Sequence, residues 1–298
     1  MASVPRRRRL VYPPVLSVEL PPARTVAVPG RGEFFMRDTG PATNPTHPAP
    51  AVMLLHGWMV SADLNWCGAY DALAQAGYRV LALDHRGHGR GLRSMERFRL
   101  TDCAADAAAV LRQLDVAPAI VVGYSMGGVI AQLMARDHPD VVGGLVLSGT
   151  CQHFQDPETR KVWKWMGVVG VTLGLAPRWF FRNGLKRSGI ELNERTAWVL
   201  SELMRHQARD AAEAGRELGR FDSRPWLRGV SVPAAMVLTS HDQMVAPAKQ
   251  RELAQAVDAR VFEVPIDHLE LTDRAAEYNP ALISALASVG ERARAAGA

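Results

Sequence analysis

Three residues of this chain, Ser125, Asp242 and His268, stand in the order nucleophile, orienting acid, base. A serine hydroxyl attacks poorly at neutral pH unless a base takes its proton, and that base needs a third group to fix its tautomer. Ser125 lies in Gly123-Tyr124-Ser125-Met126-Gly127, after the apolar run 119–122 and before a helix-compatible stretch at 129–136. A serine in so tight a strand-to-helix bend is strained, and glycines at 123 and 127 relieve the crowding. The pattern alone arises by chance, and a helix-capping serine behind a glycine turn is the bland alternative. Its place between a strand and a helix is what favours a nucleophile.

His268 is the last of nine histidines and ends Pro265-Ile266-Asp267-His268, just after the final expected strand at 261–264. Asp242 follows the apolar run 234–238 and precedes Met244-Val245-Ala246-Pro247, which reads as a turn into a helix. Asp267 competes for the acid's role, but adjacent residues rarely orient each other's side chains across a turn, so Asp242 is favoured. Asp222 and Asp258 read as surface charge.

Attack on a carbonyl builds an oxyanion, which preorganised N–H groups must hold. The backbone N–H of Met126 is one expected donor. The other is that of Trp58, in the glycine turn His56-Gly57-Trp58-Met59 after the apolar run 51–55. His56 reads as a structural hydrogen bonder rather than a base. The side chains of Trp58, Tyr124, Trp163 and Trp165 are expected to line a substrate pocket, and no metal ligand set or cofactor motif is expected.

These residues need a frame that brings distant segments to one edge. Runs at 24–28 and 34–37, flanking Pro29-Gly30-Arg31-Gly32, read as a hairpin. Short apolar runs at 51–55, 80–83, 119–122, 145–147, 234–238 and 261–264 alternate with helical patterns at 70–76, 101–114, 126–136 and 248–257. Such alternation implies an α/β fold, an eight-stranded and mostly parallel sheet flanked by helices, with ligands at the carboxyl ends of the strands. Residues 152–228 break the alternation. They read as a helical cap insertion, with helix-compatible patterns such as 194–219 and many aromatics among lysines and arginines. The expected organisation is a flexible arm at 1–23, a core at 24–151 and 229–298, and the cap between its two parts.

At 298 residues and 48% hydrophobic content, the chain can bury a large core. Its net charge of +5 is spread along the sequence, which argues against a nucleic-acid partner. The one dense cluster, Arg6-Arg7-Arg8-Arg9, precedes a proline-rich segment and reads as a solvated tail rather than a polyanion contact. Cys67, Cys103 and Cys151 show neither disulfide nor metal spacing. Pro13 and Pro14 interrupt any signal-peptide core, and the uncharged stretch 165–176 is shorter than the roughly 20 residues a membrane span requires. The expectation is a soluble, cytoplasmic protein.

The set His56-Gly57-Trp58, Asp84-His85-Arg86-Gly87-His88-Gly89, Gly123-Tyr124-Ser125-Met126-Gly127-Gly128, Asp242 and His268 resembles the α/β-hydrolase superfamily over roughly residues 24–290. The resemblance implies Ser125 as nucleophile, His268 as general base and then acid, and Asp242 as orienting acid. It also implies that the Asp84–Gly89 turn is structural. The small-molecule substrate is then expected to be a moderately apolar ester, cleaved through an acyl-enzyme without a cofactor. Lipid esters approached by contact of the cap with a lipid surface, carbon–carbon, amide or lactone bonds, perhydrolysis, and a non-catalytic binding role are the alternatives. Epoxide hydrolases and haloalkane dehalogenases of the superfamily carry an aspartate where this chain has Ser125, so they are disfavoured.

Overall fold

The computed structural model describes residues 19–41, 50–187 and 194–297. Eight strands form one sheet: β1 Ala23–Val28, β2 Gly32–Asp38, β3 Val52–Leu55, β4 Val80–Leu83, β5 Ala119–Tyr124, β6 Val142–Ser148, β7 Ala234–Thr239 and β8 Arg260–Val264. They lie in the order β1-β2-β4-β3-β5-β6-β7-β8. The β1–β2 hairpin pairs antiparallel and joins β4 antiparallel; every other pairing is parallel.

The central strands are continuous apolar runs because both their faces are covered. Along β3, Met53 and Leu55 face one side and Val52 and Leu54 the other. The first side packs under α3 (Leu100–Gln113), α4 (Met126–Asp137) and α10 (Pro247–Ala256). The second packs under α1 (Ala62–Trp66), α2 (Tyr70–Gln75) and α11 (Ala275–Gly297). Helix α11 lays Tyr278, Leu282, Ala285, Leu286 and Val289 on the sheet, all fully buried and spaced as one helical face.

Among the described residues between β6 and β7 run five α-helices: α5 Pro157–Lys164, α6 Met166–Leu175, α7 Pro177–Arg187, α8 Glu194–Leu203 and α9 Ala208–Arg220. They form a cap whose base is closed by an antiparallel bridge between His153 and Asp222. The helix-compatible pattern over 194–219 is divided between two helices, α8 and α9. Tertiary contacts account for the break: Gln207 N–H donates to Gly87 O at 2.8 Å, and Arg93 Nη2 donates to Arg205 O at 2.7 Å. A second tie crosses the same boundary. Glu202 of α8 is buried and accepts Arg90 Nη1 and Nη2 at 2.9 and 2.7 Å.

The turn after β4 is held by its own charges. Asp84 accepts N–H bonds from Ala62 and Arg90, each at 2.7 Å, and Arg86 pairs with Asp106 of α3 at 2.7 and 2.8 Å. Residues 19–22, which the sequence reading placed in a flexible arm, are tied to the sheet. Leu20 packs on the core, Pro21 O accepts Arg37 Nη1, and Pro22 O accepts Asp38 N–H. The arginine cluster at 6–9 lies outside the described residues.

Candidate active site

The bend expected at Ser125 is present, and its backbone has a positive φ. Ser125 has φ 54° and ψ −117°, a region that costs a non-glycine residue about 1–3 kcal/mol and persists only where the surroundings enforce it. The enforcement is steric and polar. A Cβ on Gly127 would stand 2.0 Å from Leu55 O, and one on Gly123 would stand 2.3 Å from Gly127 O. Strand β5 and helix α4 therefore meet at backbone contact, and Ser125 N–H donates to Ser148 O at 3.0 Å to hold the turn to β6.

That turn places Ser125 Oγ 3.0 Å from His268 Nε2. On the other side of the ring, Nδ1 lies 2.7 Å from Asp242 Oδ2. Since a carboxylate only accepts, Nδ1 carries the proton and leaves Nε2 as acceptor for the serine hydroxyl. Asp242 is fixed at both oxygens. Its Oδ1 accepts the N–H groups of Met244 and Val245 at 2.9 and 2.7 Å, while Oδ2 also accepts Thr239 Oγ1 at 2.8 Å and Gln250 Nε2 at 3.3 Å. Asp267 does not reach the ring. It accepts the backbone N–H groups of His268 and Gln243, and so shapes the loop that carries the base.

The loop after β3 approaches from the opposite side. A Cβ on Gly57 would touch Ser125 Cβ at 3.4 Å. Three groups hold this loop: Asn65 Oδ1 accepts Gly57 N–H at 2.8 Å, His56 Nδ1 donates to Gly57 O at 2.8 Å, and His56 Nε2 accepts His85 N–H at 3.0 Å. The loop therefore runs beside Ser125, and Met126, the first residue of α4, has an N–H with no acceptor within its own helix.

These groups open into a cavity of ≈ 340 Å³, at the small end of the usual range for small-molecule sites. Its walls are mainly apolar, with Trp58, Leu64, Phe154, Trp163, Leu218 and Val245 among them. The two tryptophan rings meet edge to face at 5.8 Å, and Trp58 Nε1 donates to Ala211 O at 2.7 Å, which ties the pocket wall to α9. Tyr124 also reaches the cavity, but its hydroxyl is committed to His268 O at 2.6 Å, where it braces the base's backbone.

Trp165 is a correction. Although adjacent to the Lys164 that ends α5, its side chain is 65% exposed and absent from the pocket wall. Trp163 points inward and Trp165 outward because two residues along a helix are about 200° apart around its axis. Sequence reasoning missed Asn65, Thr239 and Gln250. Asn65 sits on a helix of five residues with no periodic signal, while Thr239 and Gln250 look like ordinary strand-end and helix residues until the fold brings them to Asp242.

Comparison with known proteins places the fold in a family. The family described as alpha/beta hydrolase fold matches residues 50–269. A non-heme haloperoxidase from Rhodococcus erythropolis is 30% identical over 277 residues, covering 86% of this chain and 96% of that protein. A bifunctional esterase/perhydrolase from Acinetobacter calcoaceticus is 36% identical over 116 residues, 39% of this chain and 40% of that protein. Among solved structures, an esterase from Exiguobacterium antarcticum superposes with a TM-score of 0.76 at 18% identity, over 89% of this chain and 99% of that one. The chain belongs to the α/β-hydrolase family.

Proposed function

We propose that the protein is a serine hydrolase that cleaves a small, moderately apolar carboxylic ester through an acyl-enzyme. The observation that carries this reading is the unbroken chain Asp242–His268–Ser125 ending at a strained serine inside an apolar cavity. As Ser125 Oγ attacks the carbonyl carbon, its proton passes to His268 Nε2. The carbonyl oxygen becomes an oxyanion held by the N–H groups of Trp58 and Met126. Asp242 stabilises the imidazolium without taking its proton. Collapse breaks the bond to the alkoxide, which leaves with the proton from Nε2. Water then repeats the sequence on the acyl-serine and releases the acid and free Ser125.

The test is a chain-length series of chromogenic esters, together with labelling by a fluorophosphonate probe. Short to medium acyl groups are expected to give the highest kcat/KM, with a fall once the chain exceeds the cavity, and the probe should modify Ser125. Absence of labelling in the folded protein would return the non-catalytic reading.

A second reading is favoured by the names of two relatives, the haloperoxidase and the bifunctional esterase/perhydrolase. Hydrogen peroxide in place of water would take the acyl group from Ser125 and leave as a peracid, which then oxidises halide in solution. Adding peroxide to an acetate-ester assay should yield peracetic acid at the expense of acetate. If acetate release is unchanged and no peracid forms, this reading fails while simple hydrolysis stands.

A further inference from the structure

Helix α6 carries two apolar faces and no charge. One face is covered: Met166 and Leu173 are buried against the rest of the cap, and Gly170 lies so close to α9 that a Cβ would stand 2.9 Å from Ala212 Cβ. The other face is open. Val168 is 55% exposed, Val171 61% and Leu175 83%, a spacing of three and four that makes one stripe. Trp165, just before α6, and Trp179, in the first turn of α7, extend the exposed apolar surface at 65% and 60%. A patch of this kind on a water-facing surface marks a contact site.

The surrounding charge narrows what covers it. From Thr159 to Arg187 the sequence holds seven Lys or Arg residues and no Asp or Glu. All seven, namely Arg160, Lys161 and Lys164 on one side and Arg178, Arg182, Lys186 and Arg187 on the other, are exposed. The partner must therefore accept large aliphatic side chains and tryptophan while presenting dense negative charge around them. A bilayer containing anionic phospholipid does both, since its acyl region receives Val168, Val171 and Leu175 and its headgroups receive the cations. With 10 residues α6 is far short of the roughly 20 needed to span, so it would lie in the plane of the interface. The surface is also continuous with the mouth of the cavity. Val162, Met244 and Leu269 line that cavity and are themselves 50%, 57% and 60% exposed, and Val162 lies one helical turn before Trp165.

We propose that the cap docks on anionic membranes through the open face of α6. The contact does not depend on turnover, so protein blocked at Ser125 should dock as well as active protein. The experiment is co-sedimentation of the full chain with vesicles of phosphatidylcholine alone and with about one-third phosphatidylglycerol. Binding to the anionic vesicles is expected, weakened at least ~10-fold by half-molar salt. The double variant Val168→Asp/Val171→Asp should lose at least ~10-fold in binding. Its thermal midpoint and its turnover of a water-soluble ester should be unchanged. If that variant does not fold, Lys164→Gln/Arg178→Gln should weaken anionic binding while leaving binding to neutral vesicles unaltered. No binding to anionic vesicles overturns the proposal. So does binding undiminished by the folded variants, which would move the contact to the arginine cluster at 6–9. A dimer in solution that the Asp pair dissolves would assign the patch to a second copy instead.

Discussion

Ser125→Ala is expected to lower kcat for a good ester substrate by about 10⁵- to 10⁶-fold, a loss of roughly 7–8 kcal/mol of transition-state stabilisation. The fold should be unaffected, because alanine relieves no clash and adds none at a residue held by its neighbours' backbones. Asp242→Asn should cost about 10⁴-fold, and the hydrogen bonds at Asp242 show why. Its Oδ1 accepts two backbone N–H groups, so an asparagine would keep its carbonyl oxygen there and turn its NH₂ toward His268 Nδ1. That donor would force Nδ1 to be the unprotonated nitrogen. Nε2 would then carry the proton and could no longer accept one from Ser125. Steady-state kinetics on the soluble ester test both variants, and the nitrogen chemical shifts of His268 report the tautomer. A kcat within tenfold of wild type for either variant would remove that residue from the mechanism.

The parts of this fold that the sequence discloses are those where burial leaves a linear trace. Strands β3 to β7 are mostly apolar because helices cover both faces, and the chain order of nucleophile, acid and base survives as plain sequence order. Where three-dimensional contact decides, the trace vanishes. The helix pattern over 194–219 carries no glycine or proline at the break, which is made by Gln207 and Arg205 bonding to the core. Helix α11 leaves little periodic trace because Pro280 and an alanine-rich stretch weaken its signal, although it packs on β5, β6, β7 and β8. Tryptophans 163 and 165 are chemically identical, and only the helix's rotation sends one to the cavity and the other to solvent. Charge networks between core and cap are invisible for the same reason: Arg90 and Glu202 are 112 residues apart.

The histidines the mechanism does not use dictate a second large effect. His56, His85 and His88 are buried and half-buried His206 continues them in a contiguous row, with ring centroids 4.3 Å apart for His56–His85, 5.7 Å for His56–His88 and 5.3 Å for His88–His206. Burial disfavours the imidazolium. It pushes His85 down to about 3 and His206 down to about 4, and lowers His56 and His88 well below the usual 6.5. Below pH 6.5 the unfolded chain binds protons that the folded one refuses, so stability is fully present above that pH and falls as pH drops toward the folded values. At pH 5, His85 and His206 together should cost about 4 kcal/mol relative to pH 7, and His56 and His88 act in the same direction. Asp84 opposes them. Burial raises its carboxyl to about 6, so its protonation on acidification returns roughly 1.4 kcal/mol at pH 5. Urea unfolding should therefore show a marked loss of stability from pH 7 to pH 5, on a scale of about 5–15 kcal/mol for a whole domain. His206 lies in the turn between α8 and α9, and its Nδ1 accepts Gly89 N–H at 3.2 Å at the junction of cap and core. Protonation there would break the one acceptor that joins this turn to the Gly87–Gly89 loop through a side chain that titrates. His206→Gln keeps an acceptor and removes the titration, so it should flatten the pH dependence by about one proton. Equal stability of wild type at pH 7 and pH 5 would show that the row is hydrated or already charged in the folded protein. The row also ends at the site, since His56 Nδ1 donates to Gly57 O in the loop that precedes Trp58. Acid should accordingly weaken ester turnover through the loop that carries Trp58.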